Sequence, residues 1–264
     1  MTASAETRHL SAQNPLRSLL GFIGGKWKAA MARPYALHSI LLGLVLFFFA
    51  ISFMLNCARY AETYPYTPRL DDLVLDHLPV WDVNTLSTLG IELFIWSFYG
   101  VCLLFFPERF AFGIKTFALF KLLRGVCLVL THLGPPLHMI EDGFPGSIFG
   151  GLFFTKDLFF SGHTGYPILA ALVFWDVKWY RYTGLFVGLL LGFTTLLMHD
   201  HYTIDIVGAI LACPCVWLLS KWVFASDYEA AVRPYKLQVS PPRPGAEEET
   251  RGVSESAEET TGDR

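Results

Sequence analysis

Charge is what this chain has least of. Only 16% of its 264 residues are Asp, Glu, Lys or Arg, against about 25% in an ordinary soluble domain. The charges also cluster, leaving long stretches with none, while 53% of residues are hydrophobic and 16% aromatic and the mean hydropathy is +0.42. That balance argues against a soluble globule and for one membrane domain with tails. No basic cluster is dense enough for nucleic acid, and the net charge of −3 says nothing about partners. Cysteine is scarce too. Cys57, Cys102, Cys127, Cys213 and Cys215 lie in or beside apolar runs, where thiols behave as small hydrophobes, so no disulfide framework is implied. Cys213-Pro214-Cys215 has no further Cys or His beside it to complete a metal site.

A helix crossing about 30 Å of hydrocarbon needs about 20 apolar residues. Runs of that kind are predicted at 37–57, 85–106, 110–133, 164–174, 182–198 and 204–224, the fourth being short unless Trp175 and Trp179 extend it. The expected fold is therefore all-α, a polytopic bundle of six transmembrane helices over residues 35–226. It is preceded by a polar, weakly basic cytosolic segment, 1–34. It is followed by a tail, 227–264, whose Pro, Glu, Ser and Thr content predicts disorder. The first run is too long for a signal-peptide core, so no cleavable signal is expected. Lys and Arg concentrate on the cytosolic side of membrane proteins. Arg8, Arg17, Lys26, Lys28 and Arg33 place the N-terminus inside, Arg109, Lys115, Lys178, Arg181, Lys221 and Arg233 agree, and the loops at 58–84 and 132–163 fall outside.

Two short segments carry chemistry. One runs Lys156-Asp157-Leu158-Phe159-Phe160-Ser161-Gly162-His163-Thr164-Gly165-Tyr166-Pro167, and the other His199-Asp200-His201-Tyr202-Thr203-Ile204-Asp205. The charge-based topology puts both at the same membrane face. Proline is best tolerated in the first turn of a helix, so Pro167 predicts that the fourth span starts near Thr164. His163 then stands at a helix N-terminus, which favours an anion such as phosphate, and Ser161 and Gly162 let the backbone approach it. His201 and Asp205 are four apart and share a helical face. The carboxylate fixes the imidazole tautomer as the third member of a triad does. His201 is the candidate nucleophile and His163 the candidate acid to the leaving group. The rival is a metal site, because two His and an Asp can hold zinc. Arg124, inside the third span, either binds phosphate or pairs with Glu92. Asp157 and Asp200 organise an ammonium head group or support the histidines. Lys156 is a phosphate ligand or a solvated loop lysine. The tryptophans, Trp96 included, read as interface anchors, and His38, His77, His132 and His138 as incidental.

Ser161-Gly162-His163-Thr164 with Asp157 ahead of it, followed by His199 through Asp205, resembles the sphingomyelin synthase family, part of the lipid phosphate phosphatase/phosphotransferase superfamily. The similarity extends loosely over 68–208. Pro68-Arg69-Leu70-Asp71-Asp72 is similar to the family's outer loop, with Asp71 where a proline is usual. Arg124 through Thr131 to Pro135 and Pro136 is similar to its third-span motif, without the expected tyrosines and second arginine. The resemblance implies six spans with both histidines on the outer or lumenal side. It also implies a two-step transfer with no metal and no cofactor. His201, oriented by Asp205, would take the head-group phosphate from a phospholipid donor such as phosphatidylcholine. His163 would serve the departing and arriving hydroxyls, with ceramide as acceptor. Diacylglycerol is a second acceptor, because a plant-type cholinephosphotransferase has a similar His-Tyr-Thr-x-Asp segment. Two alternatives stay open: a lipid phosphate phosphatase, although Met198-His199-Asp200 stands where those enzymes carry an arginine, and a non-enzymatic lipid-binding scaffold or transporter.

Overall fold

The computed structural model describes residues 15–140 and 154–239. Among the described residues every regular element is helical: α1 (Pro15–Met31), α2 (Ala36–Thr63), α3 (Asn84–Phe105), α4 (Pro107–Leu130), α5 (Gly162–Val173), α6 (Lys178–Leu197), α7 (Thr203–Val223) and α8 (Ala225–Val239), with a single 3-10 turn at Leu75–His77. The chain divides into two compact units, Met1–Ala231 and Val232–Arg264. In the second unit the described residues are the end of α8.

Four helices, α2, α3, α6 and α7, are long and apolar enough to cross a membrane. The other two expected spans differ from them for physical reasons. α4 has 24 residues but carries Glu108, Arg109, Lys115, Lys121 and Arg124. α5 has only 12 residues, about 18 Å at 1.5 Å per residue. Trp175 does not lengthen it, because the chain turns at Phe174, where the Val177 N–H donates to the Phe174 carbonyl at 2.8 Å. Arg109 fixes this turn by donating to the Val173 carbonyl and to both oxygens of Asp176.

Both flanking segments hold structure that the sequence reading lacked. α1 begins inside the segment expected to be merely polar, and its Trp27 indole N–H donates to the Leu103 carbonyl at 2.7 Å. The tail expected from Asp227 starts as helix. Asp227 lies in the first turn of α8, where the helix dipole favours a carboxylate. It accepts from Lys115 at 2.6 Å and from the Ser39 hydroxyl, while Tyr228 packs on Phe112 and Trp217. Residues 240–264, the rest of the expected tail, lie outside those described.

Helices α2, α4 and α6 run one way and α3, α5 and α7 the other, so the loops after α2, α4 and α6 gather at one end. There the Trp81 N–H donates to Leu197, Gly134 to Pro68 and Ile140 to Met198, each through backbone at 2.8–2.9 Å. α2 packs against α4, and α5 against α6 and α7. Gly184, Gly188 and Gly192 form a stripe on α6 that admits the backbone of α5. A Cβ at Gly184 would stand 2.8 Å from the Pro167 carbonyl oxygen, and one at Gly192 would stand 2.5 Å from Thr164 Oγ1. Small residues at this spacing let membrane helices approach closely. The stripe fixes where α5, and hence His163, sits.

Candidate active site

α5 begins two residues earlier than Pro167 predicts. Ser161 is its N-cap, its side chain accepting from the Thr164 N–H, so Pro167 falls in the second turn. The missing proline N–H leaves the His163 carbonyl without its helical donor. His163 is in the first turn, where the helix still presents free amides. The Ser161 N–H donates to the Asp205 carbonyl at 3.1 Å, which ties the start of α5 to the first turn of α7. That bond draws the two motifs together.

His163, Asp200 and His201 are all buried, and a side-chain donor atom of each lies within 4.8 Å of the others. Asp205 is fully buried. Its Oδ2 faces His201 Nδ1 at 3.2 Å and accepts from the Tyr202 N–H at 2.9 Å. A carboxylate can only accept, so Nδ1 carries the hydrogen and Nε2 holds the free lone pair. Asp200 Oδ2 lies 3.9 Å from that Nε2. Burial favours the neutral ring of His201, but the Asp205 hydrogen bond and the Asp200 and Asp205 charges outweigh it against opposition from Arg124, so its pKa stands above the ordinary value. Two imidazoles and a carboxylate this close could also hold a divalent cation such as zinc.

Arg124 pairs with Asp157 and not with Glu92. Its Nη1 donates to Asp157 Oδ2 at 2.8 Å, Nη2 to the Asp157 carbonyl at 3.0 Å and Nε to the Phe160 carbonyl at 2.7 Å. α4 ends at Leu130, which sets Arg124 six residues, about 9 Å, below the helix end. Glu92 is buried on α3. Lys156 fits neither sequence reading. Its Nζ donates to the carbonyls of Glu62 and Tyr64 at 3.1 and 3.0 Å, capping the C-terminus of α2, while the Glu62 carboxylate accepts from the Thr155 hydroxyl and the Lys156 N–H. His132, read as incidental, stacks on Tyr64 with centroids 3.9 Å apart.

Arg124, Asp157, Asp200, His163 and His201 line the polar end of a cavity of about 390 Å³. Met54 on α2 touches Arg124 there, and the remaining walls are apolar, from Phe47 on α2 to Phe98 and Tyr99 on α3 and Phe117 on α4. Trp96, expected as an interface anchor, borders this cavity. Asp72 is a further supporting residue. It accepts both the N–H (2.6 Å) and the hydroxyl (2.8 Å) of Thr203, and so caps the start of α7. These bonds hold its pKa below the ordinary carboxylate value although burial opposes them. The Tyr202 hydroxyl donates to the Gly134 carbonyl and accepts from the Leu70 N–H. His199, at a positive φ of 54°, reaches the Leu137 carbonyl through Nδ1 at 3.0 Å. Asp72 was readable within a loose outer-loop motif and Tyr202 within the second histidine segment; their hydrogen bonds to Thr203, Gly134 and Leu70 were not.

Residues 156–222 match the family model described as PAP2 superfamily C-terminal. The match starts at the first residue of the first histidine segment and ends within α7, so it contains both segments. It supports a membrane enzyme of lipid phosphatase or phosphotransferase type. Searches of curated proteins and of solved structures give no match.

Proposed function

We propose that the protein is a head-group phosphotransferase of the sphingomyelin synthase kind. It would move phosphocholine or a related phospho-alcohol from a glycerophospholipid to the primary hydroxyl of ceramide or diacylglycerol. The observation that carries the reading is the convergence of His163, Asp200 and His201 within 4.8 Å in the wall of a largely apolar cavity of about 390 Å³. His201 Nε2 attacks phosphorus, a P–N bond forms and the P–O bond to diacylglycerol breaks. The electron pair of that bond goes to the departing oxygen, which takes a proton from His163. In the second half the acceptor hydroxyl gives its proton to His163 as its oxygen attacks phosphorus, and the P–N bond breaks to restore the His201 lone pair. Asp205 holds the tautomer that both halves require.

Transfer from a diester is favoured over hydrolysis of a monoester by the charge at the polar end of the cavity. Arg124 is already engaged by Asp157, and Lys156 is turned to the end of α2. Beside the histidines a dianionic monoester meets little uncommitted positive charge, Lys121 lying one turn deeper on α4, whereas a singly charged diester with an ammonium suits Asp157 and Asp200. The arrangement of six spans goes with this reading. Three basic residues of α4, Arg109, Lys115 and Arg124, are paired inside the bundle with Asp176, Asp227 and Asp157, which lowers the cost of a charge in the membrane. The loop charges put the histidines on the lumenal or extracellular face, with the N-terminus and the region after α7 cytosolic.

The experiment is to give the purified full chain phosphatidylcholine with fluorescent ceramide or fluorescent diacylglycerol. A new fluorescent phospholipid is expected, lost at least ~1,000-fold in His201→Ala with the thermal unfolding temperature kept, and unaffected by a chelator. Free phosphate or phosphocholine with no new lipid would assign hydrolysis instead. A folded protein that turns over neither lipid would end the enzymatic reading.

A further inference from the structure

One charged group in the cavity has no part in the chemistry above. Lys121 lines the cavity one turn deeper on α4 than Arg124. Its ammonium donates to the Tyr166 hydroxyl at 2.7 Å and lies 4.6 Å from the Tyr166 ring centroid and 5.8 Å from that of Phe47. Among the described residues no carboxylate pairs with it. Arg124, by contrast, has Asp157 at 2.8 Å. A lysine held in an apolar cavity by a neutral phenol alone is costly unless a ligand group joins it.

Resting on the phosphotransfer reading, we propose that Lys121 and Tyr166 form a subsite for the ester or amide carbonyl of the lipid backbone. The two helices set a ladder with two rungs. Arg124 on α4 and His163 on α5 make the first, at the phosphate. Three residues further along each helix, in opposite chain directions and toward the same end, Lys121 and Tyr166 make the second. Three residues of helix advance about 4.5 Å. The rungs are contiguous: a Cβ at Gly162 would stand 3.2 Å from Tyr166 Cε2 and 3.8 Å from Arg124 Cζ.

Lipid covalent structure fits this spacing. In a diacyl glycerophospholipid the sn-2 ester carbonyl carbon is five bonds from phosphorus, and in a phosphorylated ceramide the amide carbonyl carbon is five bonds away as well. Donor and acceptor thus bring the same acceptor oxygen to the same depth once the phosphorus is at the histidines. An ammonium has three hydrogens and the phenol one, so after their mutual bond donors remain for that oxygen. The walls at this depth, Phe47, Phe98, Tyr99 and Phe117, suit the chains beyond the carbonyl. A carbonyl bonded to a charged donor should be worth about tenfold or more in affinity.

The test compares diacyl phosphatidylcholine with the dialkyl ether analogue of equal chain length, which lacks both carbonyls. Wild type should favour the diacyl donor in kcat/KM by about tenfold or more. Lys121→Met, and independently Tyr166→Phe, should lose that much on the diacyl donor and little on the ether, bringing the ratio near one. Equal losses on both donors would assign Lys121 to the phosphate and overturn the subsite, as would a wild type indifferent to the carbonyls. Lipid retention by His201→Ala protein, read by native mass spectrometry, separates the two readings. Where the wild type turns over neither lipid, a diacyl preference of His201→Ala protein that vanishes on adding Lys121→Met would keep the subsite and sink phosphotransfer. Turnover without preference would sink the subsite alone.

Discussion

Two buried arginines on α4, both paired with aspartate, do different work at opposite ends of the bundle. Arg109 spends its guanidinium on one turn, donating to the Val173 carbonyl and to both oxygens of Asp176, with the Phe174 ring 5.0 Å beneath it. It does not line the cavity. Arg124 has the same chemistry and a similar burial, yet it and Asp157 face the cavity beside His163 and His201. What separates the two pairs is where they stand: one holds a turn away from the cavity, the other lines it, and on the proposed reading only the second meets substrate.

On the proposed reading, the end that holds the histidines should give the largest effect. Asp205→Asn leaves a group that can still hydrogen-bond but no longer fixes the His201 tautomer or stabilises its charge, and activity should fall about 100-fold or more. The pH profile gives a second reading. His201 must be neutral to attack, and its carboxylate partners raise its pKa, so the acid limb of wild type lies above that of an ordinary imidazole. Loss of the Asp205 charge should move the limb to lower pH. An unchanged limb with the same drop in rate would assign Asp205 to packing.

The two arginines come next. Removing one member of a buried pair costs about 3–5 kcal/mol when the partner stays buried and unpaired. Arg109→Leu should therefore lower stability by about that amount, seen as a lower unfolding temperature in detergent, with the activity per folded molecule little changed. Arg124→Leu should cost at least as much stability, because the abandoned Asp157 is less exposed than Asp176, and should add a large loss of turnover, because the pair lines the cavity beside His163 and His201. A variant of Arg124 that keeps full turnover per folded molecule would erase the distinction between the ends.

Asp72 tests how far the catalytic end depends on its loop. It caps the α7 N-terminus through Thr203, a contribution of about 1–2 kcal/mol. Because its folded pKa is depressed, this stability is present above the ordinary carboxylate pKa and fades as pH falls through the lowered one. Asp72→Asn should lower stability modestly at neutral pH and flatten the acid side of the stability profile. A wild-type profile that the substitution does not flatten would remove Asp72 from the support of α7.

The difference between the ends also governs what could be read from sequence. The histidines and Asp205 were legible because residue type, spacing four apart and loop charge all point to one place. The four helices that pass the length and apolarity test were legible because each is a run of about 20 mostly apolar residues. Arg124 was seen, but its partner was not, since Asp157 is 33 residues away along the chain and only the folded loop brings it near. The start of α5 was misjudged because Pro167 was read as a first-turn residue, while the Ser161 cap and the α6 glycines determine where that helix sits. Those glycines, Gly184, Gly188 and Gly192, recur every four residues and were a usable signal of close packing. Lys121 carried none, because it belongs to no motif; Tyr166 stood in the first histidine segment without a role, and their meeting depends on two helices running in opposite directions.

The smallest effect expected is at Lys156, where position in the sequence misleads most. It stands beside Asp157 in the motif segment and is the nearest basic residue there to His163, so a phosphate role would make Lys156→Met as damaging as Arg124→Leu. Its Nζ instead donates to the last carbonyls of α2, at Glu62 and Tyr64, in competition with water. A basic group at a helix C-terminus contributes about 0.3–1 kcal/mol. Lys156→Met should therefore shift the unfolding temperature slightly and leave kcat within about twofold of wild type. A hundredfold drop in kcat with the KM unchanged would mean that Lys156 leaves the end of α2 during turnover and joins the phosphate. The catalytic end would then have a mobile cation, and the contrast with the closed Arg109 pair would be sharper than the static contacts suggest.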